Sequence, residues 1–115
     1  MRVALLGLGL IGGSIARALG RDRPHWPITA WSPSGAGPEA AAEAGLLTTA
    51  ASVEAAVEGA DLVVLCAPPL ACLELIDALG GPIRRRLAAG AVVTDVASTK
   101  SAIVVRADEA GLRFV

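Results

Sequence analysis

A glycine-rich segment close to the start of the chain constrains its fold more than any other feature. The hexapeptide GLGLIG at positions 7–12 follows a short apolar run and precedes an Ala- and Leu-rich stretch with helical character. A G-x-G-x-x-G pattern between a strand and a helix is typical of a βαβ unit whose first turn contacts the phosphates of a dinucleotide. A glycine-rich turn without a ligand is the alternative interpretation.

Each residue of this segment has a separate physical task if the pattern does bind a dinucleotide. Gly7 permits the tight turn, and Gly9 lacks a Cβ, so the backbone can approach a pyrophosphate. Gly12 lets the helix pack closely on the strand. The free N–H groups at the start of the helix, at Leu10 and Ile11, face the diphosphate together with the positive end of the helix dipole. These five residues are therefore candidate cofactor-binding residues.

The rest of the chain alternates short β-branched runs with Ala-rich helical stretches, the pattern of a parallel sheet. Strands are predicted near residues 2–6, 28–31, 46–48, 62–66, 91–95 and 112–115. Helices are predicted near residues 11–19, 38–44, 53–57, 70–79, 82–87 and 100–110. Hydrophobic residues make up 54% of the chain but aromatic residues only 3%, as expected for a sheet buried on both faces. We therefore predict an α/β fold, a doubly wound parallel sheet (Rossmann) forming a single domain over residues 1–115.

Charge and hydropathy exclude several classes of function. The formal net charge is −1, so there is no general attraction to nucleic acids, and the basic run Arg84-Arg85-Arg86 is interpreted as a solvated face. No stretch reaches the roughly 20 uninterrupted apolar residues that span a bilayer. The glycines of the first apolar run suit a signal peptide poorly. We expect a cytoplasmic protein without nucleic-acid or membrane partners.

The cysteines and the histidine do not suggest a metal site. Cys66 and Cys72 lie six residues apart, without the spacing or the supporting histidines of a zinc site. Both thiols are expected to be buried and reduced. His25 lies between two prolines and is expected on the surface.

Three predicted loops lie at one edge of the sheet, because the carboxyl ends of parallel strands meet there and ligands bind beside them. The glycine segment follows the first strand, Ala67 and Pro68 follow the fourth, and Asp95 ends the fifth. We expect Ala67, Pro68 and Asp95 to lie beside a dinucleotide. Alternatively, the prolines only start a helix, and the polar segment 95–101 only ends a strand and caps a helix.

The expected ribose-binding acid is missing from the second strand. Dinucleotide folds usually carry an acidic residue about 20 residues beyond the glycines, but Ser32 occupies that position here. A hydroxyl does not repel a 2′-phosphate as a carboxylate does. No arginine adjoins Ser32 to bind that phosphate, and Arg21 and Arg23 are the nearest in sequence. The cofactor is therefore NADP or NAD, and the pattern leans toward NADP.

Three motifs together resemble the nucleotide-binding domain of the prephenate/arogenate dehydrogenase family. They are GLGLIGGS at 7–14, VVLCAPP at 63–69 and DVASTK at 95–100. The resemblance implies an enzyme of tyrosine biosynthesis that oxidises the ring hydroxyl of prephenate or arogenate by hydride transfer to NAD(P)+. Loss of carbon dioxide then makes the ring aromatic.

The resemblance also implies catalytic and partner features. Ser98 is identified as the catalytic serine near the reacting hydroxyl. Its partner in the family is a histidine in an HPMAG-like motif that is expected just beyond Val115. The family's helical second domain, which binds substrate and forms a homodimer, is expected to be absent from this chain. The 115 residues are accordingly expected to bind cofactor without turning over substrate.

Other assignments remain open on the sequence alone. One is another Rossmann reductase, of the β-hydroxyacid dehydrogenase or pyrroline-carboxylate reductase type, although those commonly have G-x-M-G where this chain has Leu10 to Gly13. The other is a non-catalytic module that binds NAD(P)H without turnover.

Overall fold

Strands and helices alternate along the chain in the predicted order. The computed structural model describes residues 1–7, 10–34, 36–43, 45, 47–96 and 101–115. The strands are β1 (Val3–Leu6), β2 (Ile28–Trp31), β3 (Thr48–Thr49), β4 (Leu62–Leu65) and β5 (Val92–Asp95). The helices are α1 (Leu10–Asp22), α2 (Ala36–Glu43), α3 (Val53–Val57), α4 (Pro69–Gly80) and α5 (Ser101–Glu109). A single 3₁₀ turn, Arg84–Arg86, lies between α4 and β5.

The five strands form one parallel sheet in the order β3-β2-β1-β4-β5. The register pairs Leu6 of β1 with Trp31 of β2 and Leu65 of β4, and pairs Leu65 with Asp95 of β5. Four strands therefore end at the same level of the sheet. The strand order reverses between β1 and β4, which makes that junction the switch point of a doubly wound fold. The predicted fold class is confirmed.

The sheet is buried on both faces, as the apolar composition predicts. Alternate residues of a strand point to opposite faces. Ala4 and Leu6 of β1 join the core formed with α3, α4 and α5, whereas Val3 and Leu5 join the core formed with α1 and α2. Each buried leucine of this kind stabilises the fold by about 1.5–3 kcal/mol. The central strand is thus held rigidly beneath the loops at its carboxyl end.

The two edges of the sheet differ from the prediction. Strand β3 was predicted at 46–48 but is only Thr48–Thr49, with both residues exposed, because a short edge strand has little apolar pattern to mark it. The predicted strand at 112–115 is a single parallel bridge between Val93 and Phe114. The Thr94 hydroxyl extends that contact by donating a hydrogen bond to the Val115 carbonyl at 2.8 Å.

Helix starts agree with the prediction better than helix ends. Pro69 is the first residue of α4, and the Cys72 amide donates to the Pro68 carbonyl at 2.9 Å, which closes the first turn. The predicted helix start at the two prolines is confirmed. Helix α1 was predicted to end at Leu19 but continues to Asp22, because the i, i+4 hydrogen-bond pattern carries past Gly20.

The basic run Arg84-Arg85-Arg86 is a solvated face, as predicted, but two of its arginines also make structural contacts. All three arginines are exposed. However, the Arg84 guanidinium donates hydrogen bonds to the carbonyls of Ala110 at 3.2 Å and Gly111 at 2.7 Å. Arg86 pairs with Glu58 at 3.2 Å. Arg84 therefore satisfies carbonyl groups at the end of α5, which a helix cannot satisfy internally.

Candidate nucleotide-binding site

A cavity of about 530 Å³ opens at the carboxyl edge of the sheet, at the switch point between β1 and β4. Its volume is within the range of small-molecule and cofactor sites, which are concave and mostly apolar. The loops after β1, β2 and β4 and one face of α4 form its walls. The described lining residues are Gly7, Trp31, Ser32, Pro33, Ser34, Gly37, Cys66, Ala67, Pro68, Ala71, Glu74 and Leu75.

The base of the cavity is formed by Gly7 and Ala67, which pack tightly together. Gly7 has a φ of +79°, a conformation that favours glycine, and its N–H donates to the Trp31 carbonyl at 2.6 Å. A Cβ at Gly7 would lie 3.0 Å from the Ala67 Cβ and 3.2 Å from the Ala67 Cα and N atoms. The requirement for glycine at this position therefore has a second cause besides the turn, namely the close approach of the β4 loop.

Helix α1 begins at the same edge, three residues after Gly7. Leu10 and Ile11 form its first turn, and Gly12 is buried. The first turn of α1 contains no acidic residue, so the positive end of its dipole is available to an anion. Gly9 lies outside the described residues, as do the side chains of Leu10 and Ile11.

The loop after β2 forms one wall of the cavity. This is the loop in which Ser32 replaces the acidic residue that usually binds the ribose. Ser32, Pro33 and Ser34 line the cavity. Arg21 pairs with the neighbouring Asp22 at 3.5 Å, and Arg23 donates to the Asp22 carbonyl at 2.9 Å. Neither arginine is among the lining residues, and the described part of the lining includes no basic side chain.

The opposite wall combines two predicted residues with three that the sequence analysis missed. Ala67 and Pro68 line the cavity as expected. Ala71, Glu74 and Leu75 also line it, from the first turns of α4. Their i, i+3, i+4 spacing places them on one helix face, so a search for that spacing directly after the proline pair would have found them.

Asp95 is a buried residue at the carboxyl edge of the sheet. It ends β5 and is only 5% exposed, and the described lining includes neither Asp95 nor Gly12. The nearby Cys72 thiol donates to the Ala67 carbonyl at 3.2 Å. Burial raises the pKa of the Cys72 thiol, the hydrogen bond to Ala67 lowers it, and the negative charge of Asp95 raises it again. Asp95 therefore acts electrostatically on a buried thiol behind the β4 loop.

Cys66 differs from the expectation that both cysteines are buried. Cys72 is buried, but Cys66 is half-buried because it lies at the cavity wall. Burial, with a smaller contribution from Cys72, raises the pKa of the Cys66 thiol from the ordinary value of 9.0 to about 11. The thiol therefore stays neutral at physiological pH and places no negative charge at the cavity wall.

This pKa predicts slow alkylation of Cys66 in the folded chain. At pH 8 a thiol with a pKa near 11 is about 0.1% thiolate, and the thiolate is the reactive form. We expect iodoacetamide to modify Cys66 about a hundredfold more slowly in the folded chain than in the urea-unfolded chain. Peptide mapping by mass spectrometry follows each cysteine separately. Equal rates in the folded and unfolded chains would contradict the assignment of a shielded thiol.

Other predicted residues lie away from the cavity or outside the described residues. Ser98 is in the second group, so its position relative to the cavity stays a prediction. His25 is exposed and stacks edge-on to Trp26, with ring centroids 6.4 Å apart, which confirms the surface location. In the described parts of the chain, no three His, Cys, Asp or Glu side chains are grouped to hold a metal ion. No helix in those parts has the length and apolar character needed to cross a membrane.

A family model and a curated relative match most of this chain. The family described as NADP oxidoreductase, coenzyme F420-dependent, matches residues 2–99. The chain is 30% identical over 108 residues to the prephenate dehydrogenase of Lactococcus lactis subsp. cremoris, an alignment that covers 94% of this chain. The chain spans only 29% of the length of that relative.

Two solved structures share the fold closely. The arogenate dehydrogenase of Synechocystis matches with a TM-score of 0.81 and 30% identity, over 96% of this chain and 37% of its own. The prephenate dehydrogenase of A. aeolicus, solved with hydroxyphenyl propionate and NAD+, matches with a TM-score of 0.85 and 27% identity. That match covers 99% of this chain and 40% of the A. aeolicus chain. Both similarities are therefore to one part of a longer protein.

Proposed function

Since the chain belongs to the family described as NADP oxidoreductase, coenzyme F420-dependent, we propose that it is the NAD(P)-binding part of a dehydrogenase acting on prephenate or arogenate. The observation that carries the proposal is the cavity at the switch point between β1 and β4, beside the start of α1. Two relatives at 30% identity that align with nearly the whole chain are a prephenate dehydrogenase and an arogenate dehydrogenase, which supports the substrate class.

The residues present fit a dinucleotide. Gly7 and Ala67 leave no room for a side chain between them, and a diphosphate would lie above them, at the amides at the start of α1. Leu10, Ile11 and Gly12 would supply those amides, and Gly9 would keep the approach open. Ser32 would contact the ribose next to the base, and Ala67 and Pro68 would contact the dinucleotide from the β4 loop.

The chemistry at the other end of the dinucleotide involves the segment after β5. When bound, the nicotinamide ring supplies a hydride acceptor. Oxidation removes a hydride from the carbon that bears the ring hydroxyl and a proton from the hydroxyl oxygen, and carbon dioxide leaves as the ring becomes aromatic. We propose that Ser98 lies near that hydroxyl and orients it. Asp95, which is buried at the end of β5, would hold the start of this segment in place.

Titration calorimetry tests the binding part of the proposal. We expect one molecule of NAD+ or NADP+ to bind per chain, and ADP-ribose to compete, because the described cavity walls suit the adenosine half. Absence of binding by both dinucleotides at about 1 mM, equivalent to an affinity weaker than about 4 kcal/mol, would contradict it.

The substrate class needs a separate assay, in which formation of reduced cofactor is followed by absorbance. Because the 115 residues alone are expected not to turn over substrate, the assay uses a longer protein that includes this chain, supplied with prephenate, arogenate and a β-hydroxyacid in turn. Reduced cofactor formed from prephenate or arogenate supports the assignment. Reduced cofactor formed from the β-hydroxyacid alone would contradict it.

Ser32 is expected to decide the choice between the two cofactors. Because a hydroxyl neither repels nor strongly binds a 2′-phosphate, the wild-type affinities for NAD+ and NADP+ should differ by less than about tenfold, or ~1.4 kcal/mol. Ser32→Asp should shift the preference toward NAD+ by about tenfold, because a carboxylate accepts from the ribose hydroxyls and repels the phosphate.

The matched control is Ser32→Asn, which has nearly the size of aspartate but no charge. Asn should leave the ratio of the two affinities close to that of the wild type. If Asn and Asp shift the ratio equally, charge at this position does not govern the choice. A wild-type preference for NAD+ well above tenfold would also contradict the role proposed for Ser32.

A further inference from the structure

Helix α4 places one carboxylate in the wall of the cavity. Glu74 lines it together with Ala71 and Leu75, and it is the one charged side chain in the described lining. Most of the surrounding wall is apolar, including Trp31 and Pro33. A carboxylate in such a wall interacts with whatever hydrogen-bond donor the ligand brings to that position, because a bond to a charged acceptor is stronger than one between neutral groups.

The carboxylate is available to a ligand. In the described parts of the chain, Glu74 makes no hydrogen bond or ion pair, whereas Asp77, one turn further along α4, pairs with Arg106 at 2.7 Å. Glu74 is exposed, so its side chain can adjust to a ligand without first breaking a protein contact. Asp77 therefore has a structural role on the helix surface, the ion pair with Arg106, whereas the described contacts give Glu74 no such role.

The position of Glu74 along α4 indicates which part of a dinucleotide it faces. Ala67 packs on Gly7 at the phosphate end of the cavity, and α4 begins two residues later, at Pro69. Glu74 lies five residues after Pro69, about 7.5 Å further along the helix axis. Ser32 and Pro33 of the loop after β2 line the same cavity, so Glu74 shares it with the proposed ribose position, next to which the base would lie.

A purine is the ligand group that suits this part of the cavity. Its flat faces match the apolar side chains of Trp31, Pro33 and Leu75, and adenine carries an amino group, a hydrogen-bond donor, on its edge. A 6-oxopurine such as hypoxanthine carries a carbonyl oxygen there, which a carboxylate repels. In the adenosine half of the dinucleotide the ribose hydroxyls are the other donors, and Ser32 lies at their proposed position.

We propose that the Glu74 carboxylate accepts a hydrogen bond from the adenine amino group and selects adenine dinucleotides over those with a 6-oxopurine. This inference rests on the proposed function, because it requires that the cavity hold the base of NAD(P). It adds a base-recognising residue to the phosphate and ribose contacts.

The test compares NAD+ with nicotinamide hypoxanthine dinucleotide by calorimetry on the 115-residue chain. Wild type should bind NAD+ about tenfold more tightly, as expected for one hydrogen bond to a charged group at an exposed position. In Glu74→Ala the affinity for NAD+ should fall about tenfold, and the two dinucleotides should bind almost equally. Alanine suits an exposed helix position, so this variant should fold, which circular dichroism verifies.

Glu109→Ala is the matched control, because it also replaces an exposed helical glutamate by alanine, but at the end of α5, outside the described lining. It should keep the tenfold discrimination. Loss of affinity for both dinucleotides by the same factor in Glu74→Ala would place the carboxylate at the ribose and overturn the proposal. Unchanged affinity for both dinucleotides in Glu74→Ala would also overturn it. Failure of wild type to bind either dinucleotide would instead contradict the proposed function itself.

Discussion

Replacing Gly9 with valine is expected to weaken the binding of NAD+ and NADP+ by about a hundredfold or more, equivalent to at least ~2.7 kcal/mol. The second glycine of a G-x-G-x-x-G segment leaves room for the pyrophosphate, and a branched side chain would occupy that room. The loss should be similar for both cofactors, because both carry the same diphosphate. Calorimetric titration of the folded variant measures it.

Gly20→Val provides the control for the Gly9 variant. Gly20 lies near the other end of α1, and a Cβ built there meets nothing within 4 Å. The same side chain is therefore added within α1 but away from the proposed phosphate site, and binding should stay within about twofold of wild type, or ~0.4 kcal/mol. A folded Gly9→Val variant with unchanged affinity would disprove the phosphate-binding role of the glycine turn.

Gly7→Ala is expected to destabilise the fold itself, with or without cofactor. A non-glycine residue at a φ of +79° costs about 1–3 kcal/mol. The added Cβ would also press on the Ala67 backbone at 3.2 Å, and such overpacking costs a further ~1–3 kcal/mol. The melting temperature should fall by about 10–20 °C, since each kcal/mol shifts it by roughly 4 °C in a domain of this size.

Gly90→Ala separates the two contributions to that loss. Gly90 has nearly the same φ, +76°, but a Cβ there meets nothing within 4 Å. Its variant should therefore suffer the conformational cost alone and lose about half as much stability or less. Thermal unfolding followed by circular dichroism compares the pair. Equal losses for the two variants would contradict the conclusion that the β4 loop packs against Gly7.

The central strands and the helices were predictable because their patterns are strong. A parallel strand buried on both faces is a continuous apolar run, and β1 and β4 have such runs. The edges carry less information: Thr48 and Thr49 are exposed on β3, so no apolar pattern fixes their register. The last four residues contact β5 through one bridge, at Phe114, and a hydrogen bond from the Thr94 hydroxyl to Val115, and hydrophobicity alone cannot distinguish this contact from a full strand.

The candidate site was predictable where topology decides it. Once the strands are known to be parallel, the loops after β1, β4 and β5 must share an edge, so Gly7, Ala67 and Asp95 were expected there, and Ser32 was expected at the ribose of the same dinucleotide. The packing distance between Gly7 and Ala67 and the contribution of Glu74 depend on how the helix turns over the sheet, which a linear motif does not encode. Asp95 ends its strand at that edge as expected, and its side chain is buried there, outside the described lining of the cavity.

The location of the dinucleotide is the central claim, and an NMR titration of ¹⁵N-labelled chain with NAD+ tests it most directly. Binding at the switch point predicts the largest amide shift changes at Gly7, Ser32, Cys66 and Ala67, continuing into the first turns of α4. A second cavity is lined by Arg84 and Gly111, between the residues that precede β5 and those that follow α5. The amides of this second surface should change little. Shift changes centred on that second surface, or none at saturating NAD+, would contradict the claim.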